Sequence, residues 1–243
     1  MKCILLAAGY ATRLYPLTEN FPKPLLKIGN STILDRLIDD IGADGDVDFI
    51  VVTNHRFFDI VKDWAGTRAD ADKITVLDDG TENNETRLGA VRDIAFAIEK
   101  LSLSEDLLVL AGDNLVDFSM RDFVAYAKER GTSCIMRHYE EELSRLQRTG
   151  VIAIDEDDRV LMMQEKPKDP VSHWAVPPFY YYVKSDAEKI VQAVREGICG
   201  VDAPGDFIAW LCGVSPVHAF LMKGHRFDIG TLESYEEAKK RFS

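Results

Sequence analysis

Residues 2–25 read KCILLAAGYATRLYPLTENFPKPL, and the opening six decide the fold. KCILLA (2–7) is a short continuous apolar run and reads as a buried strand. FIVVT (49–53), residues 74–77 and LLVLA (107–111) repeat that pattern. Helical patterns separate these runs. One covers 32–41, with Ser31 as its cap and Ile33, Leu34, Leu37, Ile38 and Ile41 on one face. Another covers 57–65 and stops near Gly66, and a third covers 90–98. Strands alternating with helices predict an α/β protein with a doubly wound, mostly parallel mixed sheet.

The second half is patterned differently. Ser119 with Asp122 resembles a capping box, opening a helix that ends at Gly131. Residues 150–154 and 159–164 flank a turn at 155–158 and predict a hairpin. An aromatic strand follows at 179–184. Ser185 with Glu188 marks a helix over 186–196. Pro204 opens a short helix to Leu211, residues 217–222 form a strand, and Thr231 begins a last helix. This half extends the sheet and adds a small lid-like insertion.

The 243 residues suffice for one full core. A formal net charge of −12 argues against a nucleic-acid-binding face, since duplex binding relies on cationic neutralisation of phosphates. Cys3, Cys134, Cys199 and Cys212 lack CxxC spacing and read as buried free thiols of a reducing compartment. The first apolar run is too short, and too soon followed by Arg13, for a signal peptide. No stretch is long and apolar enough to span a membrane. The chain reads as a soluble, cytoplasmic protein.

In open α/β sheets ligands bind beyond the carboxyl ends of strands. Two segments fall there, 8–18 after the first strand and Gly112-Asp113 after the fourth. Small residues at a strand end let backbone N–H groups cradle phosphate oxygens. Arg13 adds a bidentate phosphate donor and Lys23 a compact charge. Neither a GxGxxG fingerprint nor a GK[ST] loop is present.

LAAGxxTRLxPLTxxxPKPL resembles the N-terminal signature of the sugar nucleotidyltransferase (nucleotide-sugar pyrophosphorylase) family. Gly112-Asp113-Asn114, Thr149-Gly150-Val151, Glu165-Lys166-Pro167 and Phe227-Asp228-Ile229-Gly230-Thr231 continue the resemblance in the family's order. No hexapeptide repeat of the β-helix domain found in some relatives is present.

The resemblance implies one Rossmann-like nucleotidyltransferase domain over 1–243, with a nucleotide-binding half at 1–118 and a sugar-phosphate-binding half at 119–243. It implies a magnesium-dependent enzyme that joins a nucleoside triphosphate to a sugar 1-phosphate, most simply a hexose 1-phosphate, and releases pyrophosphate. Asp113 and Asp228 match the family's magnesium-binding aspartates. Arg13 holds the triphosphate and Lys23 bridges the reacting phosphates. Lys166 grips the sugar phosphate, Glu165 accepts from sugar hydroxyls, and Gly150 lets the backbone approach the sugar. Ala7, Ala8, Gly9, Thr12, Asn84 and Gly89 complete the nucleotide site, and Tyr181 joins the acceptor site.

The departures leave nucleotide and acceptor open. Asn83-Asn84 stands where thymidylyl members carry a glutamine-containing loop, and either a base contact or a turn explains it. Ala11 replaces the family's usual second glycine, a mild change. Trp174, Phe179 and Tyr181 allow an aromatic cage, so phosphocholine or a similar phosphorylated alcohol is the alternative acceptor. A non-catalytic nucleotide-sugar-binding homologue is the other alternative. Neither nucleic acid nor membrane is an expected partner, and homo-oligomerisation is left open.

Overall fold

The computed structural model describes residues 1–43 and 45–242. In chain order it contains β1 (Lys2–Leu6), β2 (Lys27–Ile28), β3 (Ser31–Thr32), α1 (Ile33–Gly42), β4 (Asp48–Thr53), α2 (Phe58–Gly66) and β5 (Ile74–Asp78). Next come α3 (Ala90–Leu101), β6 (Leu107–Ala111), β7 (Asn114–Val116), α4 (Arg121–Arg130), β8 (Ser133–Tyr139) and α5 (Leu143–Leu146). The rest are β9 (Gly150–Ile154), β10 (Val160–Glu165), β11 (Trp174–Val176), β12 (Phe179–Tyr182), α6 (Lys184–Glu196), α7 (Gly205–Leu211), β13 (Val217–Leu221), β14 (Arg226–Asp228) and α8 (Leu232–Phe242). The fold is the expected α/β one, built on mixed strand pairing.

Contacts divide the chain into two compact units that do not follow its sequence halves. The first comprises Met1–Leu88, Ala111–Met120 and Gly224–Ser243, and the second Gly89–Leu110 and Arg121–Lys223.

In the first unit β4 lies between β1 and β5, and both pairings are parallel. Parallel neighbours need a crossover, which α1 and α2 supply. The expected face of α1 is buried at Ile33, Leu34, Leu37, Ile38 and Ile41. Its cap is Thr32 rather than Ser31. The Thr32 hydroxyl accepts from Asp35 N, and the Asp35 carboxylate accepts from Thr32 N in return. Ser31 instead faces Ile28 across a two-residue ladder. Leu14, Leu26, Ile28, Ile33, Leu115, Ile229 and Ala238 form one core cluster. Its members come from the start, middle and end of the chain.

Arg68 ties the helices of this unit together, donating to Asp35, Asp39 and Asp70 at 2.7–2.8 Å. Burial pushes the Asp35 carboxyl up, but bonds from Thr32, Arg68 and Trp64 outweigh it and hold the carboxyl below the ordinary range.

The second unit's strands run in the order β10-β9-β11-β8-β12-β6 with antiparallel pairing, and β13 lies parallel to β8. The expected hairpin is β9–β10, with Glu165 opposite Gly150. Helix α6 starts at Lys184 without the expected Ser185 cap. Lys184 N donates to Asp106 Oδ1, while Asp186 turns inward to accept from Ser133, Lys189 and Ser215. All four cysteines are free; Cys3 and Cys134 are buried, whereas Cys199 and Cys212 are partly exposed. No helix among the described residues is long and apolar enough to cross a membrane.

Candidate active site

The segment leaving β1 is pinned by the end of β4. Ala7 N donates to Val52 O, and the buried Asn54 amide donates to Ala8 O at 3.0 Å. Gly9 is exposed, and no protein atom lies within 4 Å of where its Cβ would be. Ala11 has φ 46° and ψ 42°. This left-handed conformation costs an alanine about 1 kcal/mol. It persists because Ala11 O accepts from Leu14 N and from the buried Thr18 hydroxyl, at 2.9 and 2.8 Å. Replacing glycine by alanine here thus carries a modest backbone strain. Thr12 and Arg13 follow on a tight exposed turn, and Arg13 has no hydrogen-bond or ion-pair partner among the described residues.

Gly112 brings the second loop alongside. Its N–H donates to Leu6 O at 2.9 Å, and a Cβ there would lie 3.1 Å from both that oxygen and Leu34. The next residue is Asp113. Lys23, only 7% exposed, lies 2.7 Å from Asp113 Oδ2 and 3.5 Å from Asp228 Oδ1. The β7–β14 ladder makes this convergence by pairing Asp228 with Asn114. The Asn114 amide donates to Asp113 Oδ1 at 2.6 Å and accepts from Arg226 at 2.7 Å, so the carboxylate is held on both oxygens. Both carboxylates stay partly open to solvent, at 37% and 55%. No cluster of three or more His, Cys, Asp or Glu suited to a metal exists among the described residues; this pair is a two-carboxylate arrangement.

The polar loop before α3 is shaped by its own side chains. Asn83 Oδ1 accepts from Glu85 N and Thr86 N, so Asn83 is a turn residue. Asn84 is exposed, with Oδ1 accepting from Arg87 at 3.3 Å.

In the second unit Gly89 precedes α3 with φ +93°. A Cβ there would lie 2.4 Å from Val201 O. Ala90 N and Val91 N donate to Asp202 O and Val201 O, so these two N–H groups are already engaged. Lys166 directly follows β10. It has φ +48°, a strained conformation for lysine, and its N–H donates to Thr149 O at 3.1 Å. Its exposed ammonium makes no hydrogen bond or close ion pair among the described residues. The Glu165 carboxylate likewise has no hydrogen-bond partner among the described residues. Burial, the largest influence, raises its pKa; Lys166 opposes this, while Asp206 and Asp202 add to it.

Tyr181 does not join this cluster of open polar groups. Its ring is fully buried and its hydroxyl donates to Asp106 Oδ2 at 2.7 Å. Phe179 is also fully buried, and Trp174 lies under the Arg137 guanidinium at 4.1 Å. Phe179 and Tyr181 are thus spent on packing, while Trp174 stays partly exposed. His173 Nδ1 donates to Glu140 O at 2.8 Å and serves its loop.

Sequence reasoning missed Asn54 and Arg226, and gave Thr18 no role beyond its place in the quoted motif. Asn54 alone carried a usable signal, a capping residue immediately after an apolar strand.

A model of the nucleotidyl transferase family matches residues 2–243, and the chain belongs to that family. It is 25% identical over 248 residues to a glucose-1-phosphate adenylyltransferase of Fervidobacterium nodosum, covering 96% of this chain and 59% of that protein. It thus spans less than two thirds of that relative. The UTP–glucose-1-phosphate uridylyltransferase AglF of Haloferax volcanii is 24% identical over 245 residues, with 99% and 96% covered. A crystal structure of UDP-glucose pyrophosphorylase with UDP-glucose superposes with TM-score 0.83 at 22% identity, covering 99% of this chain and 97% of the other. That likeness fixes the fold as the Rossmann-like nucleotidyltransferase one.

Proposed function

We propose that this chain is a magnesium-dependent sugar-1-phosphate nucleotidyltransferase. The observation that carries the reading is Lys23 set between Asp113 and Asp228 beside the loop that follows β1.

The acceptor's phosphate oxygen attacks the α-phosphorus of the triphosphate. One P–O bond forms, the α–β P–O bond breaks, and pyrophosphate leaves with its electron pair. No proton need be removed from an ionised acceptor phosphate, so neither a base nor a protein nucleophile is needed. The demand is for positive charge around a crowded polyphosphate.

The donors present suit magnesium, which takes one or two carboxylates plus phosphate oxygens and water. Asp113 and Asp228 are hard oxygen donors, already paired with one cation and partly open to solvent. When bound there, magnesium neutralises phosphate charge and makes the α-phosphorus more electrophilic.

The chain's own groups supply the rest. Unpaired and exposed, Arg13 suits bidentate binding of the departing phosphates. Lys23 exchanges a carboxylate partner for phosphate oxygens. The open space over Gly9 admits a phosphate to the backbone. In the second unit Lys166 takes the acceptor's phosphate and Glu165 its hydroxyls. Burial of Phe179 and Tyr181 favours a hydroxylated acceptor over a quaternary ammonium.

The test is pyrophosphate release with magnesium, five triphosphates, and a panel of sugar 1-phosphates plus phosphocholine. Turnover with a sugar 1-phosphate is expected. Asp113→Asn and Asp228→Asn should each lower it by about a hundredfold or more while circular dichroism stays unchanged. A double variant with near-normal rate and unaltered magnesium dependence would remove the metal assignment. Nucleotide-sugar binding without turnover would mark a non-catalytic homologue.

A further inference from the structure

Two glycines of the second unit stand where no left-handed backbone calls for glycine. Gly150 opens strand β9 and Gly205 opens helix α7. Neither has a left-handed φ. Something other than conformation excludes a side chain.

Both glycines face the same two groups. A Cβ at Gly205 would lie 2.2 Å from Glu165 Oε2 and 2.4 Å from Met163 Cε. At Gly150 it would lie 2.5 Å from Met163 Cε and 3.4 Å from Glu165 Oε2. The backbone of α7 and β9 thus makes a side-chain-free niche holding one carboxylate oxygen and one methyl. That carboxylate has no donor among the described residues.

We propose that Gly205 is a specificity-determining residue of the acceptor site: its missing side chain fixes the position from which Glu165 reaches the acceptor, with Met163 as the opposing wall. This rests on the acceptor reading given above. The groups in the way are ends of flexible side chains, so a methyl at 205 shifts them without unfolding the protein. The carboxylate then moves, and discrimination among acceptor hydroxyl patterns moves with it.

The experiment measures kcat and KM for glucose, galactose, mannose and N-acetylglucosamine 1-phosphates, and KM for the preferred triphosphate. It does so in wild type, Gly205→Ala, Glu165→Ala and the double variant, with thermal unfolding of each. For Gly205→Ala, acceptor KM should rise about tenfold and the preference order change, while triphosphate KM stays within about twofold and Tm is nearly unchanged. On the Glu165→Ala background the same substitution should have no further effect on acceptor KM. Equal and additive effects in both backgrounds, or a parallel rise in triphosphate KM, would overturn the proposal. Should wild type turn over none of the four acceptors, the acceptor reading itself falls and this proposal with it. Turnover without coupling would sink the role of Gly205 alone.

Discussion

Asp228 pairs with Asn114 across a two-stranded antiparallel ladder, and Asn114 hydrogen-bonds Asp113. Backbone pairing thereby sets a carboxylate from the chain's end beside one that follows β6. Arg226, 112 residues from Asn114, locks the arrangement by donating to its side-chain oxygen at 2.7 Å.

Lys23 lies within ion-pair distance of both acids in the ligand-free protein. Lys23→Met should destabilise that form by about 1–3 kcal/mol, because charge-assisted bonds are lost and the acids repel. Added magnesium should then raise Tm more in the variant than in wild type, since no ammonium competes for the carboxylates. Thermal unfolding across a magnesium titration checks this, and equal shifts in both proteins would contradict it.

Gly89 and Gly9 should respond in opposite ways. At Gly89 a methyl meets Val201 O at 2.4 Å with φ at +93°. Gly89→Ala should cost about 4 kcal/mol, lowering Tm by about 8–16 °C. Gly9→Ala meets nothing in the protein and should leave Tm unchanged while weakening triphosphate binding. Calorimetry on the two variants separates a fold glycine from a ligand glycine.

Ala11→Gly removes a left-handed alanine. Strain relief of about 1 kcal/mol is partly offset by the greater entropy of unfolded glycine. Urea unfolding should show a gain of up to about 1 kcal/mol with an unchanged m-value.

Arg68→Leu should destabilise the protein by about 2 kcal/mol at neutral pH, because Asp35 keeps its charge and loses its cation. In wild type the bonds from Thr32, Arg68 and Trp64 win over burial at Asp35, and Arg68 lowers Asp70. Folded carboxyls with depressed pKa values stabilise above the unfolded value and lose that contribution as pH falls through the folded one. The gap between wild type and variant should therefore be full at neutral pH and close below the ordinary aspartate range. Chemical unfolding at a series of pH values measures it.

Glu165→Gln should raise Tm of the ligand-free protein at neutral pH. Burial of a carboxylate without donors raises its pKa, so its charged form is the costly one in the fold. The gain should vanish as pH falls through the carboxylate range, where wild type is protonated too. Acceptor turnover should drop in the same variant.

Much of this was legible in the sequence, because local rules suffice for it. The apolar runs that became β1, β4, β5 and β6, the buried face of α1 and the β9–β10 hairpin follow from periodicity and turn chemistry. The motif strings also named Arg13, Lys23, Asp113, Glu165, Lys166 and Asp228 as the residues to watch. Their types and neighbours carry that signal without any fold.

Where a residue's role depends on a distant partner, the sequence was silent or misleading. Ser31 and Ser185 look like caps, yet Thr32 and the remote Asp106 do the work. Tyr181 looks like a ligand aromatic, yet strand pairing on both sides puts it in the core with Asp106. Only tertiary structure set Asp113 beside Lys23 and Asp228, engaged the first N–H groups of α3, and placed Gly205 against the ends of Glu165 and Met163. Periodicity and caps act over a few residues, whereas a ladder or a steric exclusion joins segments whose separation along the chain leaves no trace in either one.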